Sequence, residues 1–326
     1  MQAVITTQYG TPDALQLTTL DKPTPKANEV LIRIHAASVG PSDCAFLKGD
    51  PFIVKIMYGL KRPKFAVGGV EFSGEIEAVG SAVTLFQPGD QVFGLSANNF
   101  GAHSEYKCLP ETAPLAKKPA SLRYEEAAAV ADGGLTALTF LRDVAKVQPG
   151  QRVLVNGASG AVGAYAVQLA KSYGAEVTGV CSGANVEMVR ALGADHVIDY
   201  TREDFTQSGQ TYDVIFDAVG KRNFSACKRA LKAKGLYLTT TPTLANVRDM
   251  AWTALGGGKK AKFVTAGLMQ NKGNLDALTA LVEAGQLKPV IDRCYPLAQI
   301  ADAYRYVDTG HKRGNVVIMV QPQPTN

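Results

Sequence analysis

The stretch RVLVNGASGAVGAYAVQLAK, residues 152 to 171, constrains this chain more than any other. Arg152 to Asn156 is a short apolar run suited to a buried strand. The run ends at Asn156; Gly157, Gly160 and Gly163 follow it at three-residue spacing, and an amphipathic helical pattern runs from Val162 to Tyr173. Glycines let a backbone approach a ligand closely, and a helix N-terminus offers unpaired N–H groups at the positive end of its dipole. Strand, glycine turn and helix in that order point to a dinucleotide pyrophosphate site. The candidate contacts are Gly157, Ala158, Ser159, Gly160, Ala161, Val162 and Gly163.

The surroundings suit that reading. Glu176 to Val180, His196 to Ile198, Val214 to Asp217 and Gly235 to Thr239 read as strands, with helices at Val186 to Leu192 and Asn223 to Leu231 between them. Strands alternating with helices predict an α/β fold built on a doubly wound parallel (Rossmann) sheet. Tyr124 to Val130, Thr136 to Val144 and Leu275 to Ala284 read as further helices. The first third is different. Val30 to Val39, Glu71 to Val79, Gln91 to Leu95 and Ala102 to Leu109 are strand-like and punctuated by Gly and Pro, which suggests a small barrel or sandwich. The tail returns to β at Pro289 to Cys294 and Asn315 to Val320, with Leu297 to Val307 helical between. The expected organisation is a discontinuous, mainly β domain of residues 1–123 and 290–326, and a dinucleotide-binding domain of residues 124–289.

Composition removes other classes. A formal net charge of +5, with Lys and Arg dispersed, gives no footprint for nucleic acid. The apolar runs are strand-sized, so no integral membrane segment is expected. The opening residues MQAVITTQYG lack a basic segment followed by an apolar run, and the five cysteines include no C-x-x-C pair. A reducing, cytoplasmic setting is therefore expected. His35, His103, His196 and His311 are scattered without metal-ligand spacing.

The second strand of such a unit bears on cofactor choice. NAD sites place an acidic residue at its end, about 20 residues beyond the glycines, to bind ribose hydroxyls. Here the strand is followed by Cys181-Ser182-Gly183-Ala184-Asn185, with no carboxylate. Ser182 and Asn185 can donate hydrogen bonds to a 2′-phosphate, and Tyr200 and Arg202 follow the neighbouring strand. NADPH is expected to be favoured, with NADH possible.

The chain resembles the medium-chain dehydrogenase/reductase superfamily, and within it the zinc-independent quinone oxidoreductases and their enone-reducing relatives. The likeness rests on SVGPSDCAFLKGD (38 to 50), VGGVEFSGEIEAVG (67 to 80), PGDQVFG (88 to 94), AAAVADGGLTAL (127 to 138), the glycine turn, LGADHVIDY (192 to 200) and FDAVG (216 to 220). It implies a co-chaperonin-like barrel beside the nucleotide-binding domain. It also implies that Thr136 lies beside the nicotinamide, that Val219 and Gly220 line the ribose, and that Thr241 and Phe263, Val264 and Thr265 meet the carboxamide. Zinc-dependent members carry a Cys where this chain has Gly40 and a His where it has Val70. With both ligands missing no open zinc site is expected. Quinone reductases usually carry Asn at the position of Gly40, so one polar contact near the nicotinamide is absent.

The implied activity is NADPH-dependent, metal-free hydride transfer to a quinone or an α,β-unsaturated carbonyl. The alternatives are a non-catalytic NADPH-binding or interaction protein on the same scaffold, and an NAD(P)-dependent alcohol dehydrogenase. Ser42, Asp43 and Tyr58 are substrate-side candidates, Asp43 serving at least as well as a cap of the following turn, and no residue is assigned as general acid. Residues 52–64, FIVKIMYGLKRPK, read as a lid, as a patch for peripheral membrane contact, or as an amphipathic helix packed on the barrel. Family analogy implies a homodimer.

Overall fold

The structure is a computed structural model that describes residues 1–241 and 243–321. The last five residues of the expected discontinuous domain, 322–326, lie outside the described residues. Contacts divide the chain into two compact units. One comprises Met1–Asp132, Gln270–Glu283 and Pro289–Asn326, and the other Gly133–Met269 and Ala284–Lys288.

The second unit is the expected Rossmann arrangement. Six strands lie in the order His196–Asp199, Glu176–Cys181, Arg152–Asn156, Tyr212–Asp217, Leu231–Thr239 and Lys260–Phe263, all paired in parallel. Parallel strands covered on both faces need continuous apolar runs. Val153, Leu154 and Val155, and Val214, Ile215 and Phe216, are buried throughout accordingly. The helix after the glycine turn, Ala161–Ser172, is buried on nearly every side rather than amphipathic.

The first unit is built on a mixed, mainly antiparallel sheet. The long strand Glu29–Val39 pairs with Glu71–Val79, Tyr106–Pro110 and Asn315–Met319, and Ile291–Pro296 runs parallel to the last. Gln91–Leu95 and Leu115–Lys117 extend the sheet beyond Glu71–Val79. Val30, Ile32, Ile34, Phe72 and Ile76 join Val316 and Ile318 in one core, so the tail completes the fold of the first third.

Several elements depart from the sequence expectation. Tyr124–Leu138 is one helix, followed by π-helical Thr139–Ala145, where two helices interrupted near Gly133 were expected. A Cβ on Gly133 would lie 2.5 Å from the Ala161 carbonyl oxygen, so this glycine permits close helix approach and does not end the helix. The helix expected at Asn223 to Leu231 is α-helical only over Phe224–Cys227, and Leu231 already belongs to the next strand. The helices Pro41–Lys48 and Leu244–Ala254 were not anticipated.

Candidate functional site

The glycine turn contains three glycines held for three different reasons. Gly157 has φ +82°, a conformation that disfavours side chains, and a Cβ there would stand 2.3 Å from Val219 Cγ2. Gly163 has helical geometry, but a Cβ on it would stand 2.0 Å from the Gly157 carbonyl oxygen. Gly160 is neither strained nor crowded. Its φ is −82°, and the nearest atom to an added Cβ is the Gly157 carbonyl oxygen at 3.4 Å. The fold itself would accept a Cβ at Gly160, so the glycine leaves open the space in front of the helix.

That space faces unsatisfied donors. The amides of Gly157 and Ala158 both donate to the Val180 carbonyl at 3.0 Å, and Gly160 N–H donates to Gly157 O at 3.0 Å, which pins the turn to the neighbouring strand. The first amide of the helix with a partner one turn back is Ala164, bonded to Gly160 O at 2.9 Å. The N–H groups of Ala161, Val162 and Gly163 have no acceptor within the helix, and Gly160 supplies no side-chain cap. Open space, aligned donors and the positive end of a helix dipole together fit a pyrophosphate.

A second turn is organised by a residue the sequence reading did not single out. Asp217, fully buried, ends the Tyr212–Asp217 strand. Its Oδ1 accepts from Asn156 Nδ2 at 2.9 Å, Val219 N–H at 3.1 Å and Gly220 N–H at 3.0 Å. Its Oδ2 accepts from Arg222 N–H at 3.2 Å and the Tyr237 hydroxyl at 3.1 Å. Burial, then the neighbouring Asp217 carboxylate, pushes the Tyr237 phenol far up, so it stays a donor. One carboxylate thus locks the end of the glycine-turn strand to the Val219-Gly220 turn. Gly220 adopts φ +76° with Thr241 against it, since a Cβ there would meet Thr241 Oγ1 at 2.0 Å.

The remaining nicotinamide-side candidates fall nearby or on adjoining strands. Phe263 pairs in register with Thr239, two residues before Thr241, and Val264 and Thr265 continue from it. Thr136 is half-buried between the buried Leu135 and Ala137. Val219, Gly220 and Thr241 are therefore brought together, and Phe263 joins them through the sheet.

The end of the second strand is arranged differently from the sequence expectation. Asn185 is largely buried, and its amide donates to Ser159 Oγ at 3.1 Å and Ser182 Oγ at 3.2 Å. It ties the glycine turn to the turn after the second strand, and leaves the two serine hydroxyls able to donate elsewhere. Tyr200 N–H bonds to Cys181 O at 3.1 Å, which places Tyr200 beside this turn with its ring exposed. A carboxylate is present after all, supplied by the third strand. Asp199 pairs in register with Cys181, and its Oδ2 lies 2.6 Å from where a Cβ on Gly183 would stand. The Thr201 amide and hydroxyl hold its pKa below the usual range, with Arg202 and the Gly183 amide adding to the effect. Arg202, highly exposed, reaches Asp199 with Nε 3.7 Å from Oδ2.

In the first unit, Asp43 caps its own helix. Its Oδ2 accepts from the Gly40 N–H at 2.8 Å, and the side chain is buried. Ser42 is exposed and Tyr58 half-buried. Tyr58 packs edge-on against Phe46 and Phe100 at 4.9 and 5.3 Å. Asp43 and Tyr58 line one cavity with Phe46, Phe65, His103 and Tyr304, of about 40 Å³, room for a few waters rather than a quinone. His103 lies 3.0 Å from Ser38 O through Nε2 and 3.5 Å from the Tyr304 hydroxyl through Nδ1. The first contact assigns the proton to Nε2, and burial pushes the imidazole pKa down to about 4. Neither Gly40 nor Val70 has a side-chain atom that could ligate a metal. Among the described residues no three His, Cys, Asp or Glu side chains gather in a metal-holding cluster.

Comparison with known proteins places these features in context. Residues 26–120 match the alcohol dehydrogenase GroES-like domain, and residues 192–318 match the family described as zinc-binding dehydrogenase. The chain is 33% identical to the chloroplastic quinone-oxidoreductase homolog of Spinacia oleracea, over 98% of both chains. It is 32% identical to the chloroplastic NADPH-dependent alkenal/one oxidoreductase of Arabidopsis thaliana, over 99% of this chain and 80% of that one. The solved quinone oxidoreductase of Coxiella burnetii superposes with a TM-score of 0.89 at 30% identity, covering 98% of this chain and 99% of that one.

Proposed function

This chain belongs to the quinone oxidoreductase-like branch of the medium-chain dehydrogenase/reductase superfamily, and we propose that it is an NADPH-dependent, metal-free reductase of quinones or α,β-unsaturated carbonyls. Its relatives have oxidoreductase in common, and two of them are named for NAD(P)H or NADPH. The observation that carries the cofactor assignment is Gly160, which leaves room in front of the unpaired N–H groups of Ala161, Val162 and Gly163.

When bound, a reduced nicotinamide supplies the hydride. The turn Gly157–Gly163 would hold the pyrophosphate. Asp217 would fix the Val219-Gly220 turn along the ribose, and Thr136, Thr241 and Phe263 to Thr265 would position the ring. An alcohol–ketone interconversion needs strong polarisation of its oxygen, which metal-dependent enzymes obtain from a Lewis acid. The residues at Gly40 and Val70 offer no ligand for one. Reduction of a conjugated carbonyl or quinone places its developing negative charge on an oxygen that hydrogen bonds and water can stabilise, with a proton completing the product. The spinach and Arabidopsis relatives are named for those two substrate classes.

NADPH is the preferred cofactor in this reading. The Ser182 hydroxyl and the exposed Tyr200 and Arg202 can meet a 2′-phosphate, while the ionised Asp199 beside Gly183 works against it and limits the preference. Family analogy supports a homodimer, and the exposed Leu244, Trp252 and Leu255 supply apolar surface for one. No described helix is long and apolar enough to cross a membrane. All five cysteines are free, which suits a reducing compartment such as the cytoplasm.

The experiment is a spectrophotometric screen of NADPH and NADH oxidation against quinones, enals, enones and simple ketones. Turnover of a quinone or enone with NADPH, undiminished by chelation, supports the proposal. Turnover of alcohols or simple ketones alone overturns it.

A further inference from the structure

Residues 52–64 fold in a way that none of the activity above uses. The helix Ile53–Tyr58 buries only Val54. Phe52, Ile53, Ile56, Met57 and Leu60 are each between 49% and 65% exposed. Those positions are spaced as one face of a helical turn and its flanks, so the apolar face of this segment points outward. It is held in that orientation. The Tyr9 hydroxyl donates to Gly59 O at 2.5 Å, Lys64 N–H donates to Tyr58 O at 2.7 Å, and the Tyr58 ring is packed on Phe46 and Phe100. Single exposed apolar residues are ordinary, whereas a contiguous outward apolar face marks an interaction surface.

The charge beside that face is of one sign. Lys55, Lys61, Arg62 and Lys64 all fall between Asp50 and Glu71, with no acidic residue between those two. Lys61, Arg62 and Lys64 are exposed, and Lys55 lies over the Tyr9 ring at 5.2 Å. None of the four makes an ion pair among the described residues, although Lys22, Lys48, Lys117, Lys171 and Lys272 each do. Exposed apolar side chains flanked by unpaired cations suit the boundary of an anionic bilayer, where the apolar groups enter the acyl region and the cations stay at the headgroups. A second copy of the chain fits less well, because a two-fold contact through this face would bring its own cations together.

We propose that residues 52–64 form a docking surface for membranes containing anionic phospholipid. This surface is independent of the reductase reading and survives if that reading fails. Phe52, Ile53, Ile56, Met57 and Leu60 insert, and Lys61, Arg62 and Lys64 supply the electrostatic attraction.

The test is co-sedimentation of the full chain with two kinds of vesicle, pure phosphatidylcholine and a 70:30 mixture of phosphatidylcholine and phosphatidylglycerol. Binding is expected at least about tenfold tighter to the anionic vesicles, and largely lost in 0.5 M salt. The double variant Lys61→Glu/Arg62→Glu and the double variant Ile56→Asp/Met57→Asp should each lower it by roughly tenfold or more, with the far-UV spectrum unchanged. Lys234→Glu, an exposed charge elsewhere, should leave binding unaltered. Four results overturn the proposal: no preference for anionic vesicles, an equal loss with Lys234→Glu, unchanged binding in the two double variants, or an Ile56→Asp/Met57→Asp variant that alters only the sedimentation coefficient or the KM for quinone. The equal loss would show diffuse charge attraction, and the last would identify a self-association face or a substrate lid.

Discussion

The carbonyl oxygen of Gly157 lies 2.0 Å from the point where a Cβ on Gly163 would stand. The oxygen is backbone in a turn already pinned to Val180, so it cannot yield as a flexible side chain would. Gly163→Ala is therefore expected to destabilise the protein by about 3 kcal/mol, the upper end for overpacking a rigid site. Urea unfolding of the variant beside the parent measures it. A loss below about 0.5 kcal/mol, the level of a neutral surface change, would mean the turn is not held as described.

Asp217 accepts five hydrogen bonds, four of them from groups that position the Val219-Gly220 turn and the end of the glycine-turn strand. Replacing it with Asn turns one acceptor oxygen into a donor that faces other donors. Asp217→Asn should cost about 2–4 kcal/mol in stability, given the penalty for buried polar groups left without partners. Dinucleotide affinity should fall with it. Intact affinity at reduced stability would separate the turn from the cofactor.

These two cases show what could be read from the chain and what could not. The glycine turn was legible because strand, spacing and helix are contiguous. The buried parallel strands were legible as unbroken apolar runs such as VLV at 153–155. Tyr124–Leu138 was misread because a glycine pair looks the same whether it breaks a helix or admits a neighbour, and only the Ala161 carbonyl against Gly133 distinguishes the two. Leu244–Ala254 was missed because its exposed Leu244, Trp252 and Leu255 blur the apolar stripe that marks a helix. Asp199 escaped notice because it adjoins the second-strand turn through strand pairing, not through sequence.

Asp199 leads to a prediction about cofactor choice. Its carboxylate stands beside Gly183 and holds Arg202 nearby. Asp199→Asn should remove a like charge from the 2′-phosphate and free Arg202. The affinity ratio of NADPH to NADH is expected to rise by about three- to tenfold, a small electrostatic term because Arg202 is exposed. Ser182→Asp should move the ratio the other way, past unity. Dissociation constants for both cofactors in three proteins decide it. A ratio unmoved by either change would mean that this turn does not read the 2′ position.

His103 predicts a pH dependence of stability. The folded pKa is about 4 against an ordinary 6.5, because burial disfavours the charged ring. The unfolded chain therefore binds the proton first as pH falls. Stability is full above about 6.5, declines through the interval down to about 4 and levels off below, with about 3 kcal/mol lost in all if this group acts alone. Unfolding free energies at pH 7 and pH 4.5 in the parent and in His103→Gln isolate the contribution. The variant should show a shallower fall across that window, and an equal slope in both proteins would assign the loss to other groups.

The central claim is that the space before the Ala161–Ser172 helix receives a dinucleotide pyrophosphate. Gly160 tests it because the fold does not need that glycine: its φ is −82° and no atom comes within 3.4 Å of an added Cβ. The decisive measurement is calorimetric titration of NADPH into the parent and into Gly160→Val, with urea unfolding of both. The account expects the variant to unfold within about 2 kcal/mol of the parent, the cost of a β-branched residue at a half-buried helix N-cap with an unstrained backbone, and to lose NADPH binding by at least a hundredfold, about 2.7 kcal/mol. A stable Gly160→Val protein that binds NADPH as tightly as the parent would contradict it.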